Sequence, residues 1–207
     1  TPIGNQGDMS PRALRTLEEA DFIAAEDTRV TLKLLNHFNI KKPLVSYYEH
    51  NAKRSGEKIL ERILAGESCA LVTDAGMPSV SDPGEDLAAR CAELGIEMSA
   101  VPGPSAVVTA LALSALPSGR FCFEGFLSTS GRSRREHLES LRGERRTMIF
   151  YEAPHKLVKT LEDLAAAFGA ERRVALCREM TKMHEEVIRT TLGGALAMYA
   201  ETPPRGE

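Results

Sequence analysis

Two consecutive segments of the chain concentrate residue types that build ligand sites. Residues 73–84 read TDAGMPSVSDPG and follow the apolar run Cys69–Val72. An apolar run bounded by Gly66 and Asp74 is typical of a buried strand with a loop at its carboxyl end. Ligands of open α/β sheets bind at this end of the strands, so the aspartates, serines and glycines of the loop predict a binding site.

The second segment, residues 101–106, reads VPGPSA and repeats the arrangement one unit later. We expect a strand from Ile96 to Val101 and a buried, apolar helix over residues 104–116. Gly103 permits close approach of a ligand, and the free N–H groups at the helix start suit a carboxylate. Two adjacent strand ends with specialised loops therefore predict one site.

Polar residues also follow the other predicted strands. The strand Phe22–Ala25 ends in Glu26-Asp27-Thr28-Arg29, which is either a wall of the site or a capped helix start. Further groups of this kind follow predicted strands in both halves of the chain: Tyr48-Glu49-His50-Asn51, Glu152-Ala153-Pro154-His155 and Arg178-Glu179-Met180-Thr181-Lys182.

The elements that must position these groups predict an α/β protein. Residues 1–116 read as repeated β-α units, which favours a mostly parallel sheet with helices on both faces. The segment 116–119, LPSG, is the best candidate linker. We expect residues 120–207 to form a second α/β domain with a mixed sheet, in which residues 128–135, STSGRSRR, form a basic loop.

Composition excludes several classes. The chain has 207 residues, 43% of them hydrophobic and 27% charged, and a net charge of −3, as in a soluble globular protein. No apolar run approaches the roughly 20 residues that span a bilayer, so we expect no membrane insertion. The four cysteines are scattered without a CxxC pair and the five histidines do not pair at ligand spacing. This pattern predicts reduced thiols, a cytoplasmic location and no metal.

Several common enzyme motifs are absent from the sequence. It contains no G-x-G triplet, no P-loop, no G-x-S-x-G elbow and no H-E-x-x-H. Their absence excludes enzymes with the dinucleotide-binding fingerprint, P-loop nucleotidases, and the usual hydrolases and metalloproteases. The candidate loops hold aspartate, serine, glycine and proline without a lysine cluster, so they suit a cationic or zwitterionic ligand better than a triphosphate.

Eight segments in register resemble a known family. They are TPIGN at Thr1, AEDTR at Ala25, YEHN at Tyr48, residues 73–84 and 101–106, FEGF at Phe123, YEAPH at Tyr151 and REMTK at Arg178. Together they make the chain similar to the ribosomal RNA small-subunit methyltransferase I family of the tetrapyrrole-methylase superfamily. The resemblance covers essentially the whole chain, with Met77, Ser79 and Gln6 as modest departures.

The resemblance implies a fold, a cofactor and an activity. It implies two α/β domains with S-adenosylmethionine (SAM) in the cleft between them, usually in a homodimer. The implied reaction is methylation of the ribose 2′-hydroxyl of a cytidine in the decoding region of small-subunit (16S) ribosomal RNA, either naked or in the assembled 30S subunit. Thr1 follows what looks like a missing first strand, and no closing strand is evident, so we expect that both are missing from this sequence.

The resemblance also implies which residues bind SAM. Asp74 is placed to hold a polar part of the cofactor, and its neighbours permit close approach. Ser105 and the residue after it resemble positions that contact the other end, and Tyr151 closes the pocket. The expected cofactor-binding residues are Asp74, Ala75, Gly76, Met77, Ser81, Ser105, Ala106 and Tyr151.

Catalytic and RNA-binding roles follow from the chemistry of the implied reaction. A protonated ribose hydroxyl is a poor nucleophile, so a base or a cation that stabilises the oxyanion should help. We expect Lys182 to stabilise the oxyanion and Asp27 or His50 to orient or remove the proton. The expected RNA-binding residues are Arg29, Asn51, Arg132, Arg134 and Arg135.

Two alternatives from other functional classes remain. A tetrapyrrole methyltransferase would share the fold and the cofactor but act on a porphyrinoid in a broad apolar cleft. The aromatic content of 5% and the arginines of residues 132–135 favour RNA. A non-enzymatic RNA-binding protein would not need the cofactor loops, so binding of SAM separates it from both enzymes.

Overall fold

The computed structural model describes residues 1–207, which divide into two compact units, 1–105 and 106–207. Helix α5 (Ala106–Leu113) belongs to the second unit, because its Val107 and Leu111 pack with Ile149. The domain boundary predicted between residues 116 and 120 stays a prediction. No helix in the structure has the length and apolar composition needed to cross a membrane.

The first unit is built on a parallel three-stranded sheet. The strands are β1 (Phe22–Ala25), β2 (Leu44–Ser46) and β3 (Cys69–Val72), in the order β2-β1-β3. The predicted mostly parallel sheet is thereby confirmed. The helices of this unit are α1 (Pro11–Glu19), α2 (Thr28–His37), α3 (Ala52–Leu64) and α4 (Gly84–Glu93).

Strand β1 is buried on both faces. Ile23 and Ala25 pack in one apolar cluster with residues of α1 and α2, while Phe22 and Ala24 pack in another with residues of α3 and α4. A central parallel strand covered by helices must be apolar at every position, as the run FIAA is.

The three strands end level with one another. In the register of the sheet, Ala25 lies opposite Ser46 on one side and Val72 on the other. The segments that begin at Glu26, Tyr47 and Thr73 therefore leave the sheet along the same edge. This is the arrangement that the sequence predicted for three of its polar segments.

The predicted strand from Ile96 to Val101 is wrong. This segment joins no sheet, and residues 97–100 are exposed. The amide of Ile96 bonds back to the Cys91 carbonyl, and the Ala100 carbonyl accepts a bond from the Arg12 side chain at 2.7 Å. A strand needs a partner as well as a pattern, and this segment has no ladder to join.

The second unit contains two separate pairs of strands. β4 (Phe121–Phe126) and β5 (Thr147–Tyr151) are parallel, whereas β6 (Arg173–Arg178) and β7 (Glu186–Thr191) are antiparallel. The α/β class with a second part of mixed strand direction is confirmed. The remaining helices are α6 (Gly131–Ser140), α7 (Pro154–Phe168) and α8 (Leu192–Glu201).

The basic loop predicted over residues 128–135 is wrong in its second half. Helix α6 already begins at Gly131, so Arg132, Arg134 and Arg135 lie in its first two turns. Arginine is a good helix former, and the helix is anchored by the buried Leu138. The absence of apolar residues before Leu138 hid this helix start from sequence reasoning.

Candidate functional site

The loops after β1 and β3 contact each other at the level edge of the sheet. The backbone N–H of Asp27 donates to the Asp74 carboxylate, with 3.1 Å between nitrogen and Oδ1. One residue earlier in each loop, the Thr73 hydroxyl donates to the Glu26 carboxylate at 3.1 Å. Adjacent parallel strands bring these four residues together although they are distant in the sequence.

Asp27 caps helix α2 and holds Arg29. Its Oδ1 accepts a hydrogen bond from the Arg29 backbone N–H at 2.8 Å, and Oδ2 accepts from Nη2 at 2.6 Å. The hydrogen bonds from the side chain and backbone of Arg29 lower the pKa of Asp27 far below its usual range. Such a carboxylate is a weak proton acceptor but a firm anchor for the Arg29 side chain, which is 87% exposed.

The backbone conformation of the loop from Thr73 to Gly84 is fixed by unusual φ angles and by hydrogen bonds. Ser79 and Ser81 have φ of 65° and 63°, a left-handed conformation that is uncommon for residues other than glycine. Asp82 holds the turn, because its Oδ1 accepts from the amides of Ser79 at 2.9 Å and Gly84 at 2.7 Å. Strained positions of this kind cluster at ligand sites.

A side chain would be crowded at two glycines of this loop. Gly76 is buried with φ of +87°, and a Cβ there would lie 3.3 Å from the Pro104 carbonyl oxygen. At Gly84 a Cβ would lie 2.9 Å from Leu71 Cδ2 and 2.8 Å from Asp82 Oδ1. Asp74 and Ala75 beside Gly76 are exposed, and Met77 is half-buried.

The segment after β2 contributes His50 and Asn51. His50 is exposed, and its ring lies edge-on to Tyr48 with 6.3 Å between centroids. Asn51 is occupied locally, because Oδ1 accepts from the Tyr48 amide at 2.8 Å and Nδ2 donates to the Ser46 carbonyl at 3.2 Å. Asn51 therefore fixes the turn, whereas His50 is free to meet a ligand.

A cavity of about 460 Å³ lies in the second unit among α5, β5 and β6. Two of the predicted cofactor-binding residues, Ala106 and Tyr151, line this cavity. Burial raises the pKa of Tyr151, although a hydrogen bond from the Val107 amide opposes the shift. The cavity has the volume of a small-molecule site and a largely apolar wall, as such sites do.

Sequence reasoning missed two parts of this cavity wall. Cys177 at the end of β6 and Met180 after it also line the cavity. Met180 lies in a segment noted above for its position after a strand and for the family resemblance, but it was assigned no role. Cys177 has no signal beyond its position near the strand end. The half-buried Ser105 is the residue directly before α5, where the first free amides of that helix lie.

Lys182 is held between two carboxylates. Its Nζ lies 3.3 Å from Glu179 Oε1 and also bonds the Glu207 carboxylate. Burial of the ammonium works against its charge, but the bonds and charges of Glu207 and Glu179 outweigh this effect and raise the pKa of Lys182. Lys182 is thus a cation at neutral pH and a poor base.

The three arginines of α6 have different surroundings. Arg134 is only 15% exposed and donates from Nε to Asp163 and from Nη2 to the Thr160 hydroxyl, each at 2.7 Å. Arg132 is 85% exposed and pairs with Glu136 one turn later. Arg135 is exposed and forms no ion pair. Only Arg132 and Arg135 are accessible enough to contact an RNA phosphate.

Comparisons with known proteins define the class to which this architecture belongs. Residues 1–196 match the family model of the Tetrapyrrole (Corrin/Porphyrin) Methylases. The chain also resembles the solved uroporphyrin-III C-methyltransferase of Thermus thermophilus complexed with S-adenyl homocysteine. The TM-score is 0.64 at 16% identity, over 100% of this chain and 90% of that one, and such a likeness concerns the fold alone.

Relatives of higher identity resolve the class further. The chain is 51% identical over its whole length to "Ribosomal RNA small subunit methyltransferase I" of Synechocystis sp., of which it covers 74%. It is 47% identical over its whole length to the protein of the same name from Thermotoga maritima, of which it covers 92%. The chain therefore belongs to the ribosomal RNA small subunit methyltransferase I family of the tetrapyrrole methylases.

Proposed function

We propose that this protein transfers the methyl group of SAM to the ribose 2′-hydroxyl of a cytidine in the decoding region of small-subunit ribosomal RNA. The observation that carries the proposal is the identity of 51% and 47% to small subunit methyltransferases over the whole chain. A fold alone does not choose a substrate, so this identity outweighs the likeness to a porphyrin methylase.

The residues present fit SAM. The cofactor joins a sulfonium and an amino-acid tail to an adenine nucleoside, so it needs carboxylate, backbone and apolar partners. Asp74 offers an exposed carboxylate of which only Oδ1 accepts a hydrogen bond in the structure. Gly76 keeps the neighbouring backbone free of a side chain, and the cavity beside Tyr151 has a largely apolar wall. The remaining proposed cofactor-binding residues are Ala75, Met77, Ser81, Ser105 and Ala106.

When bound, SAM supplies an electrophilic methyl group on its sulfonium. The protein would bring the ribose oxygen in line with that methyl group. The hydroxyl proton would leave as the oxygen–carbon bond forms and the sulfur–carbon bond breaks, with S-adenosylhomocysteine as the leaving group. We assign stabilisation of the negative charge on the oxygen to Lys182, whose raised pKa keeps it protonated. Of the two candidates for the proton, His50 suits its removal, while Asp27, whose pKa is lowered, suits orientation through Arg29.

We further propose that the exposed Arg29, Arg132 and Arg135 contact RNA phosphates. Phosphate contacts position the nucleic acid without reading its sequence. Asn51 and Arg134 enter the proposal as residues that hold their neighbours in place. A homodimer, a cytoplasmic location and the assembled 30S subunit as substrate remain part of the proposal, on the strength of the family resemblance.

Methyl transfer to ribosomal particles tests the proposal. The protein is incubated with SAM labelled in its methyl group and with either small ribosomal subunits or naked small-subunit RNA, and the label is mapped. A 2′-O-methyl group protects the adjacent linkage from alkaline hydrolysis, which identifies the atom as well as the nucleotide. We expect label on one cytidine. Label only on a base or only on an added porphyrinoid would refute the proposal.

Two variants with the same change of charge separate the effect of position from the effect of charge. Asp74→Ala removes the proposed cofactor carboxylate, whereas Asp86→Ala removes an exposed carboxylate from α4. We expect the first variant to lose transfer at limiting SAM and the second to behave as the wild type. Equal losses in the two variants would show that charge alone, and not the strand-end position, matters.

A further inference from the structure

Phe126 is the most exposed phenylalanine or tyrosine side chain of the protein. It is 58% exposed, compared with 41% for Tyr48 and 38% for Phe121. The chain contains only seven phenylalanines and four tyrosines and no tryptophan, and apolar rings are normally buried because burial stabilises the fold. An exposed aromatic ring at the carboxyl end of β4 is therefore uncommon within this protein.

A β-bulge determines which face of the sheet Phe126 occupies. The register of β4 on β5 shifts between Phe123 and Gly125, which leaves Glu124 without a partner residue in β5. Gly125 has φ of +61°, a conformation that glycine adopts without strain. Since side chains alternate along a regular strand, Phe123 and Phe126 would otherwise point to opposite faces. The extra residue places both on one face.

The rings confirm this shared face. Tyr151 lies edge-on to Phe123 at 5.0 Å and to Phe126 at 5.4 Å, measured between ring centroids. Leu127, the next residue, is buried in the cluster on the other face, with Leu138 and Leu161. Bulges commonly re-aim a side chain next to a functional site. Here the bulge directs an exposed ring to the side of Tyr151.

Tyr151 connects Phe126 to the proposed cofactor cavity. Its ring contacts Phe126, and Tyr151 itself lines the cavity. Unpaired RNA bases are recognised chiefly by stacking on aromatic side chains. We infer that Phe126 is a stacking platform for an unpaired base of the substrate RNA and so positions the nucleotide next to the cofactor. This inference rests on the proposed function.

A set of Phe126 variants tests the inference against a merely structural role. Phe126→Leu keeps an apolar side chain of similar size but removes the π-face, whereas Phe126→Tyr and Phe126→Trp retain one. We expect the leucine variant to raise KM for the RNA substrate roughly tenfold or more. Its affinity for SAM, measured by calorimetry, should not change. The tyrosine and tryptophan variants should behave like the wild type.

Phe121→Leu is the matched control, because Phe121 is an exposed phenylalanine at the opposite end of the same strand. It should leave KM and SAM affinity unchanged. Sedimentation of each variant measures its oligomeric state, which should also stay the same.

Each opposite result overturns the inference. An unchanged KM in Phe126→Leu, or an equal loss in the tyrosine variant, would exclude stacking. A loss of SAM affinity would show that the ring only supports Tyr151, and a change of oligomeric state would assign it to a protein interface. These results require an active wild-type protein. If the wild type transfers no methyl group to RNA, the proposed function itself fails and the inference with it.

Discussion

Arg134 provides a sharp test of the separation between structural and RNA-binding arginines. Its guanidinium joins α6 to α7 through Asp163 and Thr160, at 2.7 Å each. Thr160 is 2% exposed and in turn donates to the Glu152 carboxylate at 2.5 Å. Replacement of Arg134 by alanine removes these two charge-assisted hydrogen bonds and a longer one, of 3.4 Å, to the Ser128 carbonyl. It leaves Asp163 with Lys159 as its remaining partner.

The size of the loss follows from these contacts. A hydrogen bond to a charged group contributes about 1.5–3 kcal/mol. Both side chains of the pair keep some exposure, 15% for Arg134 and 21% for Asp163, and Lys159 still bonds the carboxylate. We therefore expect a total loss of about 2 kcal/mol, less than the roughly 3–6 kcal/mol that two fully buried bonds of this kind would contribute. For a chain of this length that corresponds to a fall in Tm of about 4–8 °C.

Thermal unfolding and RNA binding are measured on the same variants. Arg134→Ala should melt early but retain its affinity for RNA below the transition. Arg132→Ala and Arg135→Ala should melt with the wild type, and together they should weaken RNA binding and reduce its dependence on salt. Arg134→Lys should recover part of the Tm, because lysine restores the charge without the planar fork.

The pH dependence gives a second measurement of the same contact. Burial raises the pKa of Asp163, but the hydrogen bonds from Lys159 and Arg134 lower it by a larger amount. The net shift of this pKa is therefore downward. A carboxylate with a lowered pKa stabilises the fold above its unfolded pKa, about 3.9, and that stability is lost as the pH falls. When the pH falls below about 4, the stability of Arg134→Ala should therefore decrease less than the stability of the wild type. An Arg134→Ala protein with the wild-type Tm and a reduced RNA affinity would refute this reasoning.

Three further predictions concern the proposed site. Asp74→Ala should weaken SAM binding at least tenfold, about 1.4 kcal/mol, in calorimetry, and unchanged affinity would place the cofactor elsewhere. Lys182→Met and His50→Ala should retain SAM binding while the single-turnover rate falls roughly a hundredfold, whereas Asp27→Asn should act through disorder of Arg29 and be rescued in part by high RNA concentration. If all three variants turn over normally, positioning alone carries the reaction. Gly84→Ala should destabilise the fold by about 1–3 kcal/mol in denaturant titrations, because its Cβ would lie 2.9 Å from Leu71. Gly143→Ala, with open space around it, is the control, and equal midpoints would contradict the account of the Gly84 turn.

Local patterns determined much of the framework. The strand Phe22–Ala25 has the predicted bounds, and α7 ends at Phe168 with Gly169 after it. Ser10 caps α1 as its position before Pro11 indicates. These features depend on short-range forces: apolar runs, helix caps and the backbone freedom of glycine. The placement of polar segments at strand ends follows from the same patterns.

Contacts between distant residues decided the rest. The segment 96–101 has the composition of a strand but finds no ladder to join, and Arg134 is structural only because Asp163 lies beside it. Phe126 faces Tyr151 because the bulge in β4 is set by pairing with β5. Pairing, burial and ion-pair geometry depend on which segments the fold brings together. The sequence alone therefore indicated which residues could form a site, and only the tertiary structure decided which of them are free to act.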